Sequence, residues 1–135
     1  MDMSKLNWLA IFAATVAAFV LGGLWYSPLL FHKGWMRANG FTEKDLEGAN
    51  QAKIFGVAFI FTFIMAFNLA MFLNDDKTTL AWGATAGFLA GFGWAALGLG
   101  IVALFERRPW SYTFINGGYL TLALVVMGAI IGGWR

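Results

Sequence analysis

Residues 80–105 read LAWGATAGFLAGFGWAALGLGIVALF, and this uncharged run decides the fold class. It is longer than the roughly 20 apolar residues that cross a hydrocarbon core about 30 Å thick. A helix on the surface of a soluble core would interleave polar positions with the helical period, and this one does not.

The same pattern recurs on either side. No Asp, Glu, Lys or Arg falls between Lys5 and Lys33, between Lys53 and Asp75, or between Arg108 and Arg135. Over the whole chain 60% of residues are hydrophobic and 12% charged, against about 25% charged in soluble domains. The sequence therefore predicts an all-α fold: one integral membrane four-helix bundle over residues 1–135, with spans at about 6–26, 54–73, 80–105 and 111–134. The first apolar run, Leu6 to Leu24, exceeds the roughly 7–15 residues of a signal-peptide core, so it reads as a span.

The connections carry their own signals. Ser27-Pro28 ends the first span, because proline disfavours a helical residue before it. Thr42-Glu43-Lys44-Asp45 fits a capping box with Asp in the Glu position, and Phe41 and Leu46 are spaced as a hydrophobic staple. A short interfacial helix is expected at about 43–52, between the first and second spans or running straight into the second. Asp76 or Thr78 is the expected cap of the third span. Trp8, Trp25, Trp35, Trp82, Trp110 and Trp134 fall near span ends, where indoles favour the headgroup region. Lys33, Arg37, Lys44, Lys53, Arg107 and Arg108 lie on the side of the first and third loops, and only Lys5, Lys77 and Arg135 on the other. The positive-inside bias then puts both termini outside.

Small residues recur every four positions, the spacing that lets membrane helices approach closely. Gly83, Gly87, Gly91 and Ala95 form such a stripe on the third span, Ala10, Ala14, Ala18 and Gly22 on the first, and Gly128 and Gly132 on the fourth. The stripe suits packing within one monomer, and a homodimer seam is the alternative.

For chemistry the sequence offers little. Ionisable residues deep in a span would mark a relay or a transport pathway, and none is present away from the span ends. Cysteine is absent and His32 is the only histidine, so the reading includes no metal and no cofactor. A net charge of +2 gives no reason to expect nucleic acid. Of the remaining uncharged polar groups, Asn7 and Asn68 fall on the outer side, and a cluster shares one depth on the other: Trp25, Tyr26 and Ser27 at the end of the first span, and Tyr112, Asn116 and Tyr119 at the start of the fourth. They read either as interhelical hydrogen bonds or as a ligand site, with Asn116 and Tyr119 facing Tyr26 to orient the polar head of a membrane lipid or lipid-like molecule. The expected function is a non-enzymatic binding or accessory subunit, self-associated or beside a larger complex. The alternative is a carrier or channel for a small neutral or hydrophobic solute.

Asn7-Trp8-Leu9-Ala10, the stretch Gly23-Leu24-Trp25-Tyr26-Ser27-Pro28-Leu29-Leu30-Phe31, and then Trp35-Met36 resemble the opening of a known family. Ile115-Asn116-Gly117-Gly118-Tyr119, Met127-Gly128-Ala129-Ile130 and Trp134 resemble its closing helix. The family is the bacterial "domain of unknown function 1761" group of small multi-span membrane proteins. The resemblance implies the multi-span fold and a bacterial inner-membrane location, and it supplies no activity.

Overall fold

Three of the four long helices start on a side chain that accepts a hydrogen bond from the backbone N–H three residues on, which satisfies a donor that lipid cannot. Asn7 accepts from Ala10 at 3.0 Å, Asn50 from Lys53 at 3.1 Å and Thr79 from Trp82 at 3.1 Å. The fourth follows Pro109, whose extended backbone launches it without a side-chain cap. The computed structural model describes residues 3–135. In chain order the helices are α1 (Trp8–Trp25), α2 (His32–Asn39), α3 (Glu43–Glu47) and α4 (Gln51–Phe72). There follow α5 (Leu80–Ala90), a π-helical segment (Gly91–Ala96), α6 (Leu97–Phe105) and α7 (Trp110–Gly133). Among the described residues there is no strand, and four helices are long and apolar enough to cross a membrane: Trp8–Trp25, Gln51–Phe72, Leu80–Phe105 and Trp110–Gly133.

The first connection differs from the single helix expected at 43–52. It holds two helices, and neither runs into α4. Gly40, at φ 68°, closes α2 in the left-handed region. The Thr42–Asp45 capping box starts α3, which stops at Glu47, and Asn50 then opens α4 three residues before the expected start. The third span is capped by Thr79 rather than by Asp76 or Thr78. Thr78 is buried instead and donates to Asp75 Oδ1 at 3.1 Å.

The fourth span, α7, is the hub of the bundle, and α1 and α5 lie against it. A Cβ added to Gly83 would fall 2.1 Å from the Gly128 carbonyl oxygen, one on Gly87 2.0 Å from that of Leu124, and one on Gly132 2.5 Å from that of Thr79. On Gly91 the nearest atom would be Thr121 Cα at 2.7 Å. The two backbones therefore touch. Beyond Gly91 the stripe changes register. Ala95, its expected next member, is half-buried, and Ala96 instead is buried and meets Gly117. The π segment explains this, because its wider turn adds one residue before the same face returns. Past it, Gly100 and Ala103 carry the contact face, while Trp94 is 84% exposed.

On the other side of α7, Ala10, Ile11, Ala14, Thr15 and Ala18 of α1 are fully buried. The α1–α4 seam is a row of aromatic contacts: Trp8 with Phe67, Phe12 with Phe59, and Phe19 with Phe59 and Phe55. The buried residues of α4, however, are confined to its far end, at Ala66, Leu69 and Ala70, followed by Leu73 just beyond it. Residues 51–57 are all exposed. α4 therefore closes on the bundle at one end and diverges from it at the other, leaving a wedge roofed by α2 and α3.

The closed end of that wedge joins the start of α1 to the residues that follow α7. Asn7 Nδ2 donates to the Trp134 carbonyl at 3.1 Å, and Arg135 donates to the carbonyls of Leu73 and Asp75. The Asp75 carboxyl is held below the ordinary carboxylate range by hydrogen bonds from the Lys77 backbone N–H and the Thr78 hydroxyl.

Candidate functional site

Where α1 ends, Tyr26 leaves the helix and its hydroxyl donates to Asn116 Oδ1 at 2.6 Å. Asn116 in turn donates from Nδ2 to the Tyr112 carbonyl, one turn back on α7, at 3.0 Å. Tyr119, three residues on, donates to the Ala18 carbonyl at 3.0 Å and meets the Tyr26 ring edge-on, with centroids 5.5 Å apart. Gly22 makes this approach feasible: a Cβ there would sit 3.1 Å from the Tyr119 hydroxyl. The three polar side chains thus form a cross-linked patch between α1 and α7. Each keeps spare capacity: a second amide N–H on Asn116, and lone pairs on both phenol oxygens.

That patch forms one wall of the wedge, a groove of about 780 Å³. Phe19 and Gly23 of α1 and Ile54, Phe55 and Ala58 of α4 make its apolar depth. Trp35 and Phe41, in contact at 5.4 Å, and Leu46 of α3 form its roof. At the mouth stand His32, Asp45 and Gln51. The Asp45 carboxyl is held below the ordinary carboxylate range by the Thr42 backbone N–H and, secondarily, by the Thr42 hydroxyl, both bonded to Oδ2. Glu43 approaches His32 Nε2 at 3.9 Å.

Of the residues singled out from sequence, Tyr26, Asn116 and Tyr119 come together on the groove and Trp25, Ser27 and Tyr112 do not line it. Trp25 is the last residue of α1, Tyr26 its C-cap and Ser27 part of the turn, so the three side chains leave the backbone in different directions. Trp25 points to α7, donating Nε1–H to the Ile115 carbonyl at 2.8 Å and packing on Phe31. The Ser27 hydroxyl bonds the Leu24 carbonyl at 2.6 Å. Tyr112 lies under the Arg108 guanidinium, 5.3 Å from its ring centroid. Sequence reading did not place Trp35, Phe41, Asp45 or Gln51 here. The capping box at Thr42 is a signal for Asp45, but the fold-back of the connection over the wedge has none.

A second cavity, of about 530 Å³, lies at the other end among Lys5, Asn7, Asp75, Asp76, Trp134 and Arg135. Asn7, Asp75 and Arg135 there tie the start of α1, the residues after α7 and the α4–α5 turn together, which gives them a structural task. Among the described residues no group of three His, Cys, Asp or Glu side chains could hold a metal ion. The groove can offer hydrogen bonds, aromatic faces and one ionised carboxylate.

The family model described as "Protein of unknown function (DUF1761)" matches residues 9–132. No curated protein and no solved structure matches the chain.

Proposed function

The chain belongs to the DUF1761 family, and from that premise we propose that it is a non-enzymatic membrane protein that binds a lipid-like molecule in the wedge between α1 and α4. The observation that carries this is the groove itself: an apolar cleft with a small polar patch on one wall. A few placed polar groups in an apolar lining are what a ligand site requires. A chain lying along Phe19, Phe55 and Ala58 would keep its head beside Tyr26 and Asn116. The backbone contact of α5 with α7 speaks for a binding protein over a carrier, since it leaves no room for a wet path between those helices.

Two substitutions test the reading. Asn116→Leu and Tyr119→Phe each remove hydrogen bonds worth about 1 kcal/mol. Both variants should melt somewhat lower, since each loses a bond between α1 and α7; a ligand role predicts in addition about fivefold less co-purified lipid by mass spectrometry from the folded protein. A purely structural role predicts the lower melting alone, with an unchanged lipid complement.

The orientation belongs to the same proposal. The α2–α3 connection carries Lys33, Arg37 and Lys44, the first turn of α4 carries Lys53, and the α6–α7 turn carries Arg107 and Arg108, so this end is the cytoplasmic one and the groove opens to the inner leaflet. With no cysteine in the chain, an impermeant maleimide applied to intact cells should label Lys77→Cys and leave Lys44→Cys unlabelled. Labelling of Lys44→Cys alone would invert the topology.

A further inference from the structure

The connection that roofs the groove holds three cations, Lys33, Arg37 and Lys44, and Lys53 follows in the first turn of α4; all four are exposed. None of them lines the groove. Among the described residues that do, there is no lysine or arginine, and Asp45 is the only carboxylate. Glu43 adds a second negative charge on the same rim, beside His32. A site for an anionic head that ends in phosphate would have the opposite arrangement, with basic side chains turned in.

The aromatic rings point the same way. Trp35 meets Tyr26 edge-on at 6.2 Å and Phe41 edge-on at 5.4 Å, and Tyr26 meets Tyr119 edge-on at 5.5 Å. Rings joined edge-on present faces in several directions, as the walls of a box do. Tyrosine and tryptophan faces attract a cation, most strongly one with a weakly held water shell, such as a quaternary ammonium. Asp45 stays ionised because Thr42 holds its Oδ2, and the carboxylate retains its other oxygen for a partner.

Resting on the lipid-site reading above, we propose that the groove selects an amphiphile with a cationic ammonium head, held between the Tyr26–Trp35–Tyr119 rings and the Asp45 carboxylate, with its tail along Phe19 and Phe55. The head is either part of a zwitterionic membrane lipid or a free amphipathic cation, and both present the same ammonium.

Three probes with one hexadecyl chain separate charge from tail: hexadecyltrimethylammonium, hexadecyl maltoside and hexadecyl phosphate. Each is titrated into the purified chain in a neutral detergent, and adducts are counted by native mass spectrometry. The cation should bind roughly tenfold tighter than either of the others. Asp45→Asn keeps an oxygen for the Thr42 N–H and removes only the charge. It should erase most of that preference and leave maltoside binding unchanged. Trp35→Leu should weaken the cation most. Competition by phosphatidylcholine assigns the head to a lipid, and its failure to compete assigns it to a free amphiphile; the ammonium class stands in both cases. Equal binding of all three probes, each lost on Gly23→Phe, would overturn the charge selection and leave the lipid site standing. Binding of none would overturn the lipid site and this inference together.

Discussion

Gly87→Ala is expected to cost the protein about 3 kcal/mol or more, at or beyond the upper end of ordinary overpacking. The added methyl would lie 2.0 Å from the Leu124 carbonyl oxygen and 2.6 Å from its carbonyl carbon. Both are backbone atoms of a helix, so no side chain can rotate away. The α7 backbone must retreat by about 1 Å to bring the first contact to 3.0 Å, and Gly83 and Gly91 would lose their contacts with it. In lipid those contacts are the main attraction available, because apolar burial gains little when the solvent is itself apolar. The measurement is the loss of monodisperse protein on heating in mild detergent. Gly93→Ala and Gly98→Ala are the controls, since a methyl at either meets nothing within 4 Å, and both should melt like wild type. Should Gly87→Ala melt with them, α5 and α7 are not in backbone contact.

The same helix pair shows how far sequence reached. Charge-free runs fix where the spans are, because a bilayer tolerates few alternatives, and the four long helices begin and end within about three residues of the expected limits. Spacing put Gly83, Gly87 and Gly91 on one face, yet named no partner for it. Nor did spacing anticipate the π turn that substitutes Ala96 for Ala95, since the run Gly91 to Ala96 carries no residue that demands a wide turn. α2 was missed because Gly34 interrupts a stretch of mixed charge and aromatics without a clean period. The site was half legible. Tyr26, Asn116 and Tyr119 could be set at one depth from span ends alone. The opposite wall depends on α4 diverging from α1, a consequence of which α4 residues find partners, and nothing local in Gln51 or Phe55 reveals it.

That divergence also supplies the sharpest test of the groove. Gly23→Phe is expected to lower co-purified lipid at least roughly tenfold while leaving the fold intact. Gly23 lines the groove, and a Cβ added to it meets nothing within 4 Å, so the new side chain enters open space. Its position is four residues after Phe19, on the same face of α1 and one turn nearer the mouth. The aromatic row between α1 and α4 climbs from Trp8 and Phe67 through Phe12 and Phe59 to Phe19 and Phe55. A ring at 23 would add one more rung, facing the first turn of α4, and would draw the wedge shut where a ligand tail would enter. Replacing a helical glycine removes a residue that is about 1 kcal/mol worse than alanine in a helix, so melting should hold or rise. Gly98→Phe puts the same ring into open space on α6, away from the groove, and should retain the full lipid complement. A folded Gly23→Phe protein that keeps as much lipid as wild type would mean that its lipids sit on the outer surface, and the wedge would then be a gap between helices rather than a site.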